Sequence, residues 1–163
     1  MKGSAGALAN ALRSHKIGNC DNLVVYYGDI LSNLKVQSLI NTHAQRKADV
    51  TLVLTRGYTL PVGVAEVDGE FITSLREKPS LQLNVTTGNM VLSRRALWIL
   101  KDSPRNIVEG DLMGDFVPLL LARNYKVASY FIEDFWYDVG TIDKYQDLTD
   151  KIVEKHLGFL DKY

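Results

Sequence analysis

Two aspartate segments contain residue types that can do chemistry. Gly28-Asp29 follows a β-prone run, and Asp138 lies between two aromatic residues and a Gly-Thr pair. A carboxylate just beyond the carboxyl end of a parallel strand lies in the crevice where open α/β sheets bind ligands. Mg²⁺ is usually held by one or two such carboxylates together with substrate phosphates. If the fold brings Asp29 and Asp138 together, they can hold one metal ion; otherwise Gly28-Asp29 is a strand-ending turn and Asp138 a capping residue.

A third segment, Glu77-Lys78-Pro79, has the character of a phosphate and hydroxyl binder. The lysine ammonium is a compact point charge that suits a phosphate, and the glutamate can accept hydrogen bonds from hydroxyl groups. Proline fixes the chain beyond them. The alternative is a solvated Glu-Lys pair without function.

The remaining candidate residues carry weaker signals. His15, His43 and His156 are scattered without the spacing of metal ligands or of a catalytic triad. His43 falls on the apolar face of a predicted helix, which indicates a core histidine. Cys20 has no Cys-x-x-Cys partner, and the Tyr26-Tyr27 pair fits strand packing better than base stacking.

Composition and charge are those of an ordinary folded chain. Its 163 residues favour one domain, which we assign to residues 1–163. Nineteen basic residues balance nineteen acidic ones, so no general affinity for nucleic acid or membrane is predicted. No apolar run reaches the ~18 residues of a membrane span, and no signal peptide opens the chain. With a single cysteine, these features predict a cytoplasmic protein.

The first half of the sequence alternates between helical and strand patterns. Ser4 is a candidate N-cap before residues at helical spacing, and Gly18-Asn19 is a stop signal. Leu23–Tyr27 and Val50–Leu54 are continuous β-prone runs typical of strands buried on both faces. A predicted helix between them has Val36, Leu39, Ile40 and His43 on one face. This strand–helix–strand pattern predicts a crossover connection and a parallel sheet.

The second half begins with an antiparallel hairpin. Val62–Val67 and Phe71–Leu75 are joined by Asp68-Gly69, a pair suited to tight turns with positive φ. The predicted fold is therefore α/β, with a mixed, mostly parallel sheet and this hairpin. Further predicted elements are a strand over Val85–Leu92, a helix capped by Ser93, a helix over Asp111–Arg123 that Pro118 kinks or starts late, a strand over Lys126–Ile132, and a final helix capped by Thr141 that runs to Leu157.

The order of these segments carries a family resemblance. It runs from Tyr27-Gly-Asp29 through the hairpin to Glu77-Lys-Pro79, then Thr87-Gly88 before an apolar strand, and finally Trp136-Tyr-Asp-Val-Gly-Thr141. Gly3-Ser-Ala-Gly-Ala-Leu8 resembles a further Gly-Thr-Ala-Gly segment. Nearly the whole chain thus resembles the sugar-1-phosphate nucleotidyltransferases, which include mannose-1-phosphate guanylyltransferases and glucose-1-phosphate thymidylyl- or uridylyltransferases. The resemblance implies a Rossmann-like sheet and transfer of a nucleotidyl group from a nucleoside triphosphate to a sugar 1-phosphate, with release of pyrophosphate.

The resemblance also implies roles for individual residues. Asp29 and Asp138 would hold the Mg²⁺ that bridges the two substrates. Lys78 would bind the sugar phosphate and Glu77 the sugar hydroxyls, while the backbone at Gly63 would approach the sugar ring. The implied catalytic residues are Lys78, Asp29 and Asp138, and the implied substrate-binding residues, with Gly3 against the nucleotide base, are Gly3, Gly28, Gly63, Glu77, Thr86, Thr87 and Gly88.

The sequence departs from the family pattern in two places. The family usually has asparagine as a sugar ligand before Thr/Ala-Gly, whereas this chain has Thr86, whose reach is shorter. Family members also begin with a strand and a Gly-x-Gly-Thr-Arg loop that wraps the triphosphate, and this chain starts after that region. We therefore expect an N-terminally truncated domain with little or no transferase activity of its own. The alternative function is a non-catalytic sugar-phosphate-binding or regulatory subunit of the same fold.

The truncation also predicts a partner. In the family's sheet the absent strand lies next to the strand predicted over Leu23–Tyr27, so its loss would leave a long apolar edge. A second copy of the chain or a separate N-terminal chain would cover that edge. We therefore expect a homodimer or a complex with such a chain, in addition to the two substrates.

Overall fold

The computed structural model of the chain describes residues 3–104, 107, 109–132, 135–148 and 150–157. None of the helices in these ranges is both long and apolar enough to cross a bilayer. The strands are β1 (Asn22–Val25), β2 (Ile30–Ser32), β3 (Val50–Thr59), β4 (Val64–Asp68), β5 (Phe71–Arg76), β6 (Ser80–Ser93), β7 (Val127–Ile132) and β8 (Trp136–Asp138). The helices are α1 (Ser4–Arg13), α2 (Val36–Arg46), α3 (Arg94–Asp102), α4 (Val117–Ala122), α5 (Ile142–Asp147) and α6 (Asp150–Leu157), with a π-helical turn over Leu112–Phe116 before α4.

The main sheet is mixed, as predicted, and β6 lies between the two strands that the crossover joins. The strand order is β1-β6-β3-β7. β6 runs antiparallel to both β1 and β3, while β3 and β7 are parallel. β1, β3 and β7 therefore point the same way. The crossover through α2 joins two strands of equal direction, yet β6 lies between them, so the prediction of a parallel sheet built directly from this crossover is corrected.

Helices cover both faces of this sheet, because residues of one strand alternate between two apolar clusters. Met90 and Leu92 of β6 face one cluster, and Val91 faces the other. Ala5 and Ala9 of α1, both almost fully buried, lie one helical turn apart in the first cluster. The other buried members of the first cluster are Val50, Ala96, Leu97, Leu100, Leu112, Phe116 and Leu120, and those of the second are Leu39, Val53 and Ile132.

His43 of α2 is a core histidine, which confirms the interpretation from its spacing. It is 2% exposed, and its Nδ1 lies 2.8 Å from the hydroxyl oxygen of Thr51. Burial lowers the pKa of the His43 imidazole, and the nearby Asp49 carboxylate opposes this effect. The ring is therefore neutral in the fold and has a structural role.

Two small sheets stand beside the main one. β4 and β5 form the predicted antiparallel hairpin, and Gly69 in its turn has a φ of 58°. β2 and β8 pair antiparallel, with Ile30 opposite Asp138. The pattern of the sequence predicted neither β2 nor β8, because each has three residues and is too short to show periodicity.

Three predicted helix boundaries differ from those in the structure. Gly3, not Ser4, is the N-cap of α1, because the Ser4 hydroxyl bonds Asp111 instead of its own helix. The helix predicted over 111–123 is divided into the π-helical turn and α4, and Pro118 lies in the first turn of α4, where its missing N–H needs no partner. The final helix is divided at Leu148, whose backbone is extended.

Candidate active site

β2 and β8 bring the two predicted aspartates side by side. Ile30 pairs with Asp138, and the backbone N–H of Val139 donates to the carbonyl of Asp29 at 2.8 Å. A Cβ atom placed on Gly140 would lie 2.9 Å from Asp138 Oδ1 and 3.3 Å from Asp29 Oδ2. Both carboxylates therefore face the same space beside Gly140. The fold thus meets the condition that the sequence set for a shared metal ion.

The chemistry of this pair fits a hard divalent cation such as Mg²⁺. Carboxylate oxygens are its preferred protein ligands, and it keeps several positions for water and phosphate. Among the described residues, the side chain of Asp29 forms no hydrogen bond or ion pair. In the same ranges, no third His, Cys, Asp or Glu joins the pair in a metal-holding group. Two carboxylates that approach each other next to the exposed Gly140 suit a metal that arrives with substrate phosphates.

Asp138 is the more constrained of the two carboxylates. Its Oδ1 accepts a hydrogen bond from the backbone N–H of Gly140 at 2.8 Å, and its Oδ2 accepts one from Lys144 Nζ at 2.6 Å. The Lys144 hydrogen bond, with that of Gly140, lowers the pKa of the Asp138 carboxyl. The same contact with Asp138 raises the pKa of Lys144. Both groups therefore stay charged at neutral pH.

Lys144 is a site residue that the sequence reasoning missed. The predicted cap at Thr141 is confirmed: its hydroxyl accepts from the backbone N–H of Lys144 at 3.4 Å. The hydroxyl of Tyr137 donates to the carbonyl of Lys144 at 3.0 Å. The cap places Lys144 in the first turn of α5, next to the strand that carries Asp138. The feature of the sequence that could have identified Lys144 is its position three residues after the predicted cap at Thr141.

The β4–β5 hairpin brings Gly63 and Glu77 together. A Cβ atom on Gly63 would lie 3.0 Å from Glu77 Oε2, so a side chain there would crowd the carboxylate. Lys78 has a φ of 44°, a left-handed conformation that costs a non-glycine residue about 1–2 kcal/mol. The Glu77 and Lys78 side chains are exposed and form no hydrogen bond or ion pair within the described ranges. They do not neutralise each other, which leaves both charges available to a ligand.

Thr86 and Thr87 of β6 differ in accessibility. Thr86 is exposed and pairs with Leu54 of β3. Thr87 is 2% exposed, and its hydroxyl donates to the carbonyl of Val53 at 3.2 Å, where the β3–β6 register shifts. The Thr87 hydroxyl is therefore engaged inside the fold, which leaves only its backbone for the predicted substrate contact. The side chain of Thr86 remains accessible.

Gly88 meets the ring of Tyr27. Its φ is 86°, and a Cβ atom on Gly88 would overlap that ring, 2.9 Å from Cε2. The backbone N–H of Tyr27 donates to Asn89 Oδ1 at 3.2 Å, which ties the end of β1 to β6. Gly28, the next residue, is exposed and has open space where a side chain would be. At position 88, only glycine can both adopt the positive φ and leave room for the Tyr27 ring.

Gly3 lies against a second backbone segment. Its N–H donates to the carbonyl of Glu109 at 3.2 Å. A Cβ atom on Gly3 would lie 2.7 Å from the carbonyl carbon of Gly110, closer than side-chain carbons approach backbone. The absence of a side chain at Gly3 is therefore required for the approach of these two segments.

A chain of side-chain hydrogen bonds joins Tyr27 to Ser4, next to Gly3, and to Asp111. The Tyr27 hydroxyl donates to Ser4 Oγ at 3.3 Å, and Ser4 Oγ donates to Asp111 Oδ2 at 2.6 Å. Burial raises the pKa of the Tyr27 phenol, and the Ser4 hydrogen bond lowers the pKa of the Asp111 carboxyl. Tyr27 thus stands two residues before Asp29 and contacts Gly88 and Ser4. Sequence reasoning gave Tyr27 only a packing role, because no local pattern shows contacts between such distant segments.

Comparison with known proteins shows what the chain is similar to. A family model described as nucleotidyl transferase matches residues 1–155. A glucose-1-phosphate adenylyltransferase from Geobacter metallireducens is 25% identical, over 94% of this chain and 43% of the relative. A mannose-1-phosphate guanylyltransferase from Mycobacterium tuberculosis is 30% identical, over 85% of this chain and 38% of the relative. The chain therefore spans less than half the length of these curated relatives.

Solved structures show the same fold. HddC from Yersinia pseudotuberculosis superposes with a TM-score of 0.64 and 19% identity, over 92% of this chain and 62% of that chain. A putative glucose-1-phosphate thymidylyltransferase from Bacillus anthracis, solved with sucrose, gives a TM-score of 0.63 and 22% identity, over 90% and 59% of the two chains. The mixed α/β nucleotidyltransferase fold expected from the sequence is confirmed.

Proposed function

Because this chain belongs to the nucleotidyl transferase family, we propose that it serves the transfer of a nucleotidyl group from a nucleoside triphosphate to a sugar 1-phosphate. The observation that carries the proposal is the convergence of the Asp29 and Asp138 carboxylates beside Gly140. Relatives named for glucose 1-phosphate and mannose 1-phosphate support the substrate class.

In the proposed reaction a phosphate oxygen of the sugar attacks the α-phosphorus in line and pyrophosphate leaves, so positioning and charge neutralisation dominate. A Mg²⁺ ion held by Asp29 and Asp138 would neutralise phosphate charge. Lys78 binds the sugar phosphate through its free ammonium, and Glu77 accepts hydrogen bonds from sugar hydroxyls. Gly63 leaves room for the sugar ring beside Glu77.

The remaining predicted residues surround the same substrates. Gly3 contacts the nucleotide base through its backbone, and Gly28 keeps the approach to Asp29 free of a side chain. On β6, Thr86 offers a hydroxyl to the sugar in place of the family's asparagine, while Thr87 and Gly88 offer backbone groups. These assignments are supported by the exposure of Thr86 and the open space at Gly28.

We further propose that residues outside this chain complete the triphosphate site. The chain spans less than half of its curated relatives, and we assign two basic side chains, Lys78 and Lys144, to the site. A cytoplasmic location, where nucleoside triphosphates are made available, fits this function. The second candidate, a sugar-phosphate-binding or regulatory subunit, is favoured by the same short coverage and would keep the Lys78 site without turnover.

The edge of the main sheet is the proposed attachment point for a second chain. Within the part of the chain that the structure describes, β1 pairs only with β6, so its other side presents unpaired N–H and C=O groups next to half-buried Leu23, Val24 and Val25. We expect light scattering across a dilution series to show a dimer or larger species. Asn22→Lys, which adds a charge on β1, should shift the protein towards monomer, whereas Asn41→Lys on α2 should not. A monodisperse monomer at micromolar concentration would contradict this edge assignment.

Sugar-phosphate binding tests the proposed function directly. In titration calorimetry with mannose 1-phosphate or glucose 1-phosphate, Lys78→Ala should weaken binding about tenfold or more, because a charge-assisted hydrogen bond is lost. Nucleoside triphosphate binding should change much less. Lys47→Ala is the matched control, since Lys47 is also exposed and has a left-handed backbone. Equal binding by the wild type and Lys78→Ala, or no binding by either, would refute the assignment.

A further inference from the structure

The ion pair between Lys144 and Asp138 is built into the site. The backbone of Lys144 is held on both sides, by the Thr141 hydroxyl at its N–H and by the Tyr137 hydroxyl at its carbonyl. Its ammonium lies 2.6 Å from Asp138 Oδ2, although the side chains of Lys144 and Asp138 keep 46% and 34% of their exposure. Exposed lysines usually sample many positions. Here the two hydrogen bonds of its backbone orient Lys144 towards Asp138, a proposed metal ligand.

The pair changes the charge that an arriving metal ion meets. Without Lys144, Asp29 and Asp138 would present two negative charges to the space beside Gly140. With Lys144, one of these charges is neutralised, and both oxygens of Asp138 already accept hydrogen bonds. The phenol groups of Tyr58 and Tyr137 are the other ionisable groups that face Lys144. We therefore expect the aspartate pair to attract a free divalent cation weakly before the substrate binds.

We propose, on the basis of the proposed function, that Lys144 makes metal binding depend on the phosphate substrate. In the empty site it competes with the metal for Asp138. When a metal ion and a sugar phosphate enter together, the phosphate offers the Lys144 ammonium a new negative partner, and Asp138 is released to the metal. Lys144 thus weakens the binding of the metal ion alone and strengthens the binding of the metal ion together with the sugar phosphate.

Mn²⁺, as a paramagnetic substitute for Mg²⁺, tests this inference by electron paramagnetic resonance without any need for turnover. Lys144→Met should bind free Mn²⁺ about tenfold more tightly than the wild type, because a positive charge next to the carboxylate is removed. Saturating mannose 1-phosphate should raise the Mn²⁺ affinity of the wild type. The ratio of the Mn²⁺ affinities with and without mannose 1-phosphate should fall towards one in Lys144→Met. By linkage, Mn²⁺ should raise mannose 1-phosphate affinity by the same factor.

Three control variants separate the inference from general effects. Lys144→Arg keeps the charge and should retain the coupling of the wild type. Lys155→Met removes an exposed lysine from the neighbouring α6 and should change neither affinity. Asp29→Asn should abolish Mn²⁺ binding in both the wild-type and the Lys144→Met backgrounds, which locates the ion at the aspartate pair. Circular dichroism checks that each variant is folded.

The outcomes distinguish the inference from the function on which it rests. Equal Mn²⁺ affinity and equal coupling in the wild type and Lys144→Met, with binding lost in Asp29→Asn, would overturn the role of Lys144 and leave the metal site intact. Absence of Mn²⁺ binding in every variant, or binding that ignores Asp29→Asn, would overturn both. Tighter binding of free Mn²⁺ combined with lost coupling in Lys144→Met would support both.

Discussion

Asparagine at position 29 or 138 should lower Mn²⁺ binding and nucleotidyl transfer about a hundredfold or more. Each change removes a negative metal ligand and nearly keeps its shape. Loss of a residue that only orients a metal ligand already costs about 10–100-fold, so loss of the ligand itself should reach the upper end. No further acidic side chain in the described ranges joins the pair to replace it. Paramagnetic resonance measures Mn²⁺ binding. Pyrophosphate release measures nucleotidyl transfer, in an assay where a separate N-terminal segment is added to complete the triphosphate site.

Asp143→Asn is the matched control for these variants. Asp143 lies in the first turn of α5, close in sequence to Asp138, and is exposed. Its replacement should leave Mn²⁺ binding unchanged and cost only the small helix-dipole contribution, about 0.3–1 kcal/mol. Near-normal Mn²⁺ affinity in either the Asp29 or the Asp138 variant would show that the two carboxylates do not share a metal ion.

Alanine at position 88 should destabilise the protein by about 3 kcal/mol. The positive φ of Gly88 strains any other residue by about 1–2 kcal/mol, and overlap with the Tyr27 ring adds about 1–3 kcal/mol of overpacking. For a chain of this size, such a loss lowers the midpoint of thermal unfolding by about 6–12 °C. Scanning calorimetry or circular dichroism melts would measure it.

Two variants divide this effect into its causes. Gly69 also has a positive φ, but open space surrounds it, so Gly69→Ala should show the backbone strain alone. Combining Gly88→Ala with Tyr27→Ala should recover part of the loss, because the obstructing ring is gone; the double-mutant cycle measures that coupling. If Gly88→Ala costs no more than Gly69→Ala, the packing of Tyr27 against Gly88 is not as described.

The sequence indicated the aspartates but not the residues that hold them. Asp29 and Asp138 stand out because each occurs in a short, unusual motif, and the hairpin is specified by its Asp-Gly turn. Lys144 has no such motif, since its importance depends on where the cap at Thr141 directs it. Tyr27 meets Ser4 and Gly88 only after the fold forms, so its local pattern indicates no more than strand packing.

The order of the strands in the sheet could not be predicted from the sequence, for a similar reason. Local patterns identify strands, but the choice of neighbours depends on which long-range pairs bury the most apolar surface. The helix between β1 and β3 predicts a crossover connection and a parallel sheet, but not which strand lies next to each of them. Their actual neighbour, β6, is predicted from the sequence as a shorter strand, with no sign that it pairs on both sides.

The central position of β6 has a consequence for synthesis on the ribosome. β1 emerges early, but its partner residues Met90 to Ser93 lie far along the chain. At the roughly 5–20 residues per second of translation, β1 waits several seconds for that partner. During this interval its apolar residues are open to chaperones and to other nascent chains. Once β6 arrives, β1 and β3 can both be paired by one strand, so the main sheet forms late and within a short stretch of elongation.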